Sequence, residues 1–371
     1  MKRAFAAVAA TVCLFLLVQL GSLALVEPFM SAGFQAVEDP SDPTNSLLYI
    51  IAILVATGVM LAAMKFGVDR LLQGLVLFAA VFISFYVFTV VVPPVVAVAG
   101  LNLVAVALAL ALGVGLLVYP EWYVIDAAGI VMGAGAAGLF GISFGLLPAL
   151  VLLVVLAVYD AISVYGTEHM LALASGAMDL RLPVIFVVPL TLSYSFLDAD
   201  NPESLEDDTP ESDAEAEPDE GDDVSTATGD AEPVDTMAED ADTDADSDAD
   251  ADDPAAAEAA PDEHADPFAR DAFFIGLGDA VIPTILVASA AFFRPGGVEL
   301  LSVPGIALTV PALGAMVGTI AGLLALMWFV MKGRAHAGLP LLNGGAIAGY
   351  LLGAAAVGIP VVEALGVAPY L

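Results

Sequence analysis

The sequence predicts an all-α polytopic membrane protein: nine transmembrane helices, arranged six plus three, flank a disordered acidic cytoplasmic loop. Three observations lead there. First, 60% of the 371 residues are hydrophobic and mean hydropathy is +0.91, beyond the roughly half-apolar composition of soluble domains. Second, apolar runs long enough for a bilayer helix recur along the chain. Third, the formal net charge of −35 is local. Residues 198–266 hold 30 of the 44 acidic residues and no Lys or Arg, which leaves 14 acids against 9 bases, or −5, elsewhere.

The apolar runs, bounded by turn signals, are 4–26, 47–64, 71–92, 95–118, 124–142, 146–166, 271–293, 305–331 and 338–358. The first begins MKR, as a cleaved signal peptide would, but its apolar core exceeds the usual h-region, so it is read as a retained helix. Pro93-Pro94 parts the third run from the fourth. With the N-terminus cytoplasmic, Lys2, Arg3, Lys65, Arg70, Arg181, Arg270, Lys332 and Arg334 fall inside and only Arg294 outside. That bias sets the orientation, with the acidic loop inside and the C-terminus outside. The chain thus divides into 1–197, carrying six helices, an acidic linker at 198–266, and 267–371, carrying three.

The linker has too few large apolar residues to bury a core and reads as a solvated, disordered connector. Strings such as DTDADSDADADD lack the glycine and terminal glutamate of an EF-hand loop, so no specific calcium site is expected. So acidic a tract fits a high-salt cytoplasm, as in a halophilic archaeon. The segment 167–180, TEHMLALASGAMDL, reads as amphipathic and is expected at the cytoplasmic interface. Cys13 is the single cysteine, which excludes an intrachain disulfide or a Cys-based metal site and suggests a packing role.

Within the seventh run, AFFIGLGDAVIPTILVASAAFF, stands Asp279. An ionisable group in a bilayer helix costs several kcal/mol and is generally functional. Asp160, in LLVVLAVYDAISVY of the sixth run, has a similar depth: the two lie ~9 Å and ~12 Å from their cytoplasmic ends at 1.5 Å per residue. Glu121, Asp126 and Glu363 lie nearer predicted helix ends and are expected as interfacial anchors. Two carboxylates held close in a low-dielectric site share one proton. Such a pair supplies a base to activate water and an acid to protonate a carbonyl or leaving amine, with no metal or other cofactor. His169, His264 and His336 are isolated, in cytoplasmic segments by this topology. Gly276 and Gly278 clear space beside Asp279 for a neighbouring helix or a substrate backbone. Pro283 lacks the N–H that would bond the Asp279 carbonyl, so a local kink is expected.

Tyr159-Asp160 followed by Gly276-Leu277-Gly278-Asp279 resembles the presenilin and signal peptide peptidase group of intramembrane aspartyl proteases, of the GxGD type, in an archaeal presenilin-like version. That family carries YD and GxGD motifs on its sixth and seventh spans and a Pro-Ala-Leu motif at the start of the ninth. The resemblance implies Asp160 and Asp279 as the catalytic pair, with Tyr159, Gly276, Leu277 and Gly278 completing the motifs. Where the family has Pro-Ala-Leu, this chain reads Ala337-Gly338-Leu339-Pro340, so substrate positioning falls on Gly338, Leu339 and Pro340. A literal Pro148-Ala149-Leu150 lies at the outer end of the sixth run and is read as coincidence. The implied partners are the lipid bilayer and single-span membrane substrates of type I orientation. A homo-oligomer stays open, and no nucleic acid is implied.

Other readings compete. Gly141-Ile142-Ser143-Phe144-Gly145 fits G-x-S-x-G, but it lies between two membrane helices with every histidine on the opposite side. Prepilin-type peptidases use a GxGD aspartate with fewer spans. A proton-coupled transporter or cation leak would also want paired membrane aspartates, though no internal repeat is evident. An inactive scaffold for hydrophobic segments is the third alternative.

Overall fold

Long apolar helices dominate the computed structural model, which describes residues 2–37, 39–66, 68–98, 100–166, 184–190, 194–195, 272–301, 303–332 and 337–371. All belong to one compact unit drawn from 1–204 and 264–371. The acidic linker 198–266, the segment 167–180, Arg181, Arg270, Arg334 and the three histidines lie outside the described residues.

The elements run α1 (Lys2–Ser31), α2 (Thr44–Lys65), α3 (Asp69–Val91), β1 (Ala97–Val98), β2 (Leu101–Asn102), α4 (Leu103–Val118), α5 (Trp122–Ser143) and α6 (Leu146–Gly166). After them come β3 (Ile185–Pro189), β4 (Ala272–Gly276), α7 (Leu277–Phe293), α8 (Val310–Val330), α9 (Gly338–Ala356) and the short α10 (Val361–Ala364). Six helices, α1, α3, α5, α6, α8 and α9, contain stretches long and apolar enough to cross a membrane. The apolar stretches Thr44–Met60, Leu103–Val118 and Leu277–Phe293 are shorter.

Three expected helices start later than their apolar runs do; the eighth starts at Val310, where the Thr309 hydroxyl accepts the Ala312 N–H. The fourth begins at Leu103, behind a β1–β2 hairpin that pairs Ala97 with Asn102 and Val98 with Leu101. Asn102 sets that start: its Oδ1 accepts the N–H groups of Val104 (3.2 Å) and Ala105 (3.4 Å), and its Nδ2 donates to the Val92 carbonyl (2.9 Å). A side chain that satisfies otherwise orphaned first-turn donors fixes a helix N-terminus.

The seventh run is likewise not helical from its beginning. Residues 272–276 form β4, antiparallel to β3, with a register running from Ile185–Gly276 to Pro189–Ala272. Aromatic and β-branched residues on both strands favour the pleated arrangement, and hydropathy alone does not separate a buried strand from a buried helix. Gly276, at φ −60° and ψ 132°, is the extended residue from which α7 starts.

Helices α1, α5 and α7 pack through small residues. A Cβ on Gly141 would collide with Ala288, one on Gly129 would stand 2.8 Å from the Phe186 ring, and one on Gly133 would stand 3.2 Å from Leu277. The α8–α9 pair goes further. Gly314, Gly318 and Gly322 face Gly349, Gly345 and the Leu341–Leu342 backbone, so close that any added Cβ would strike a carbonyl oxygen. Spacing of four places these glycines on one helical face, the small-xxx-small geometry by which membrane helices bring their backbones together. Cys13 is exposed rather than packed: α1 turns it away from the bundle.

Candidate active site

The site forms where α6, α7 and the first turn of α9 meet. Asp160 is 6% exposed, and its Oδ2 accepts the Leu339 N–H at 3.0 Å; the Gly338 N–H is directed at the same carboxylate. Helix α9 starts at Gly338, after Ala337 in extended backbone, and no side chain of its own caps it. The first N–H groups of a helix have no intrahelical acceptor, and the helix dipole favours an anion there. Asp160 therefore acts as the cap of α9 from another helix.

Asp279 approaches the same backbone from α7. It occupies the first helical turn and is half-buried. Its Oδ2 lies 3.5 Å, and its Cγ 3.7 Å, from where a Gly338 Cβ would stand. The two carboxylates thus flank the Gly338–Leu339 peptide. The revised start of α7 moves Asp279 from the expected eight residues inside a helix to a strand–helix junction.

Several contacts hold the three elements in register. Asn343 Nδ2 donates to the Leu153 carbonyl at 2.9 Å and ties α9 to α6 within one turn of Leu339. The α8–α9 glycine contacts fix the other side of α9. The Leu277 N–H donates to the Val184 carbonyl at 2.8 Å, and Ser289 Oγ donates to the Phe144 carbonyl at 2.9 Å, pinning both halves of α7.

The remaining predicted residues separate by position. Gly276 closes β4, and a Cβ there would meet only the Asp279 carboxylate, at 3.4 Å. Leu277 is buried against α5, whereas Gly278 is exposed and, among the described residues, only Ile282 comes near its missing Cβ. Among the described residues, no helix docks on Gly278. Gly338, Leu339 and Pro340 are half-buried beside the carboxylates. Tyr159 is 40% exposed and faces away from the bundle. Helix α7 continues through Pro283 to Phe293 as one element.

Two expected surface anchors are instead interior. Asp126 is buried, and its Oδ1 accepts the Val187 N–H of β3 at 2.8 Å; Glu121 is buried and accepts the Ser195 hydroxyl at 2.6 Å. For Asp126 the reason is the unrecognised strand β3, which supplies the Val187 N–H; for Glu121 it is the Ser195 hydroxyl, from the chain beyond β3. Glu363 is exposed. The readings set aside earlier have structural roles. Pro148, at the far end of α6 from Asp160, accepts the Ser46 hydroxyl (2.7 Å), and buried Ser143 accepts the Ala36 N–H (3.0 Å). Among the described residues, no group of three or more His, Cys, Asp or Glu side chains is placed to hold a metal ion.

A family model described as signal-peptide peptidase, presenilin aspartyl protease matches residues 12–220 and 236–359. A solved structure of a presenilin family intramembrane aspartate protease in a C222 crystal is similar at 30% identity and a TM-score of 0.57, over 94% of this chain and 99% of that one. A second, in a P2 crystal, is similar at 28% identity and a TM-score of 0.54, over 94% and 97%. No curated protein matches. With its multiple apolar helices and a family match over most of its length, the chain belongs to the signal-peptide peptidase and presenilin family, as a multi-pass membrane protein and an intramembrane aspartic protease.

Proposed function

We propose that Asp160 and Asp279 jointly activate a water to hydrolyse peptide bonds within transmembrane segments of other membrane proteins. The observation that supports this most is their convergence on the Gly338–Leu339 peptide from two separate helices. In this reading Asp160, which accepts main-chain N–H groups, serves as the base and Asp279 as the acid that carries the shared proton. Asp160 takes a proton from water as its oxygen bonds the scissile carbonyl carbon, while Asp279 gives its proton to the carbonyl oxygen. The resulting gem-diol then collapses. Its C–N bond breaks, the nitrogen takes a proton from Asp160, and Asp279 recovers one from a hydroxyl.

Substrate approaches over Gly278, where the described residues leave space, and Leu339 and Pro340 line its path. An extended segment suits this place better than a helix, because β4 delivers extended backbone to within three residues of Asp279. In this reading the nine helices of sixteen or more residues among the described residues all cross the bilayer, six before the acidic linker and three after it. The N-terminus and linker lie in the cytoplasm and the C-terminus outside. That orientation points to type I single-span proteins or their remnants as substrates. Neither the family match nor the structural neighbours support a proton-coupled transporter or cation leak built on the same aspartates.

The test is cleavage of a labelled single-span peptide by the purified protein in liposomes. Asp160→Asn and Asp279→Asn are each expected to lower kcat by on the order of 10⁴-fold while thermal unfolding is preserved. A hydroxyl-bearing transition-state mimic should block the parent enzyme. Full turnover in either variant would remove that aspartate from the reaction.

A further inference from the structure

One face of α5 carries Asp126, Gly129 and Gly133, spaced i, i+3 and i+7. Each receives a different part of the structure that leads into Asp279. Asp126 accepts the Val187 N–H at 2.8 Å. Gly129 leaves the notch that the Phe186 ring fills, and Gly133 does the same for the Leu277 side chain. Phe186 and Val187 are fully buried, and Leu277 is nearly so.

The hydrogen-bond direction makes the first contact specific. The Leu277 N–H bonds the Val184 carbonyl, so in the antiparallel ladder the N–H groups of 186 and 188 face β4 while that of Val187 faces away from it. That donor is buried and turns to Asp126. Glu121, the residue that precedes α5, accepts the Ser195 hydroxyl. A two-stranded sheet is marginal alone, and β3 and β4 are separated by the chain from 190 to 271, whose closure opposes pairing. The dock on α5 therefore sets where the sheet sits, and with it the start of α7.

From these contacts we infer that Asp126 is a positioning residue for the proposed reaction: through β3 and β4 it fixes the height of Asp279 relative to Asp160 and the Gly338–Leu339 peptide. This rests on the assignment of Asp160 and Asp279 as the reacting pair. What Asp126 supplies is an acceptor oxygen rather than a charge. A neutral amide carrying the same oxygen preserves the contact, and an apolar residue of similar size abolishes it.

The experiment measures kcat and KM for a labelled single-span peptide in liposomes, together with the Kd of a hydroxyl-bearing transition-state mimic. Asp126→Leu is expected to lower kcat roughly 10²-fold, the effect of about 1 Å of misplacement at a reacting centre. KM should stay within about threefold, and mimic binding should weaken in step with kcat. Asp126→Asn should recover kcat to within about threefold of the parent. Gly129→Ala places a methyl against Phe186 and should give the same kcat-selective loss with Asp126 intact, which keeps the idea testable should Asp126→Leu fail to fold. Equal impairment of Asn and Leu at 126, full kcat in Asp126→Leu, or a loss confined to KM would each overturn the inference. If Asp160→Asn and Asp279→Asn are inactive while Asp126→Leu turns over normally, only the role of Asp126 falls. If either of those aspartate variants cleaves, the reading beneath it falls instead.

Discussion

The α7–α8–α9 side of the bundle and the α2–α3–α4 side are built on different principles. On the first, helices approach until backbones touch: three glycines of α8 meet glycines or bare backbone of α9. On the second, side chains spread outward. Only 17% of the apolar stretch of α3 is buried, against 39% for α8 and 33% for α9, and Leu47, Leu48, Leu71, Phe78 and Leu110 are all exposed. Among the described residues, Gly58 and Gly74 on this side have nothing within 4 Å of a missing Cβ, and the space beside Gly113 of α4 is filled by the Val81 side chain rather than by backbone. Lipid tails are as apolar as leucine, so burial itself does not draw membrane helices together; close van der Waals packing does. Tight packing falls where two carboxylates from different helices must reach one peptide, and loose packing where the neighbour is lipid.

The contrast can be broken most readily at the glycine seam. Gly318→Ala would place a methyl on the Gly345 carbonyl oxygen. Thermal unfolding in detergent should show a loss of about 1–3 kcal/mol, and kcat should drop as the first turn of α9 shifts. A smaller loss, about 1 kcal/mol, is expected for Asn343→Leu, which removes one buried hydrogen bond between α9 and α6. Gly58→Ala on the lipid-facing side should change stability by no more than about 0.5 kcal/mol. If Gly58→Ala and Gly318→Ala unfold alike, the division between the two sides is wrong.

Two further changes should be close to silent. Ala337 already has φ −61°, the angle that proline fixes, and a Gly338 Cβ would make ordinary contacts at 3.4–3.7 Å. The double variant Ala337→Pro with Gly338→Ala, which creates the Pro-Ala-Leu triplet, should keep kcat within about threefold. Removal of residues 203–262 should leave turnover within about twofold, provided the tract only connects. A marked loss in that truncation would show that the acidic segment takes part in handling substrate.

Much of this was legible from side chains. Asp160 and Asp279 stood out because an acid in an apolar run needs a reason, whereas Gly338-Leu339-Pro340 stood out only through the family resemblance, at the place of its Pro-Ala-Leu motif. The strands were not legible. Phe273, Phe274 and Ile275 are as hydrophobic as the helix they precede, and their partners in β3 lie more than eighty positions away, so nothing local marks the change of conformation. Missing β3 also misplaced Asp126: a carboxylate near a helix end suits a wet interface until a strand with a spare N–H is found beside it. The glycine seam could have been found. Gly314, Gly318 and Gly322, with Gly345, Gly349 and Gly353, repeat every fourth residue on consecutive helices.

The group that holds Asp160 is an amide of the main chain, at a position where any residue except proline would provide the same donor. Systematic alanine replacement along this stretch would therefore leave the hold on Asp160 untouched and make the position look dispensable. Drift in the side chains at 337 and 338 is invisible to that bond for the same reason, so long as the ninth helix begins at the same residue. What inheritance must preserve here is a starting point for a helix, not a letter.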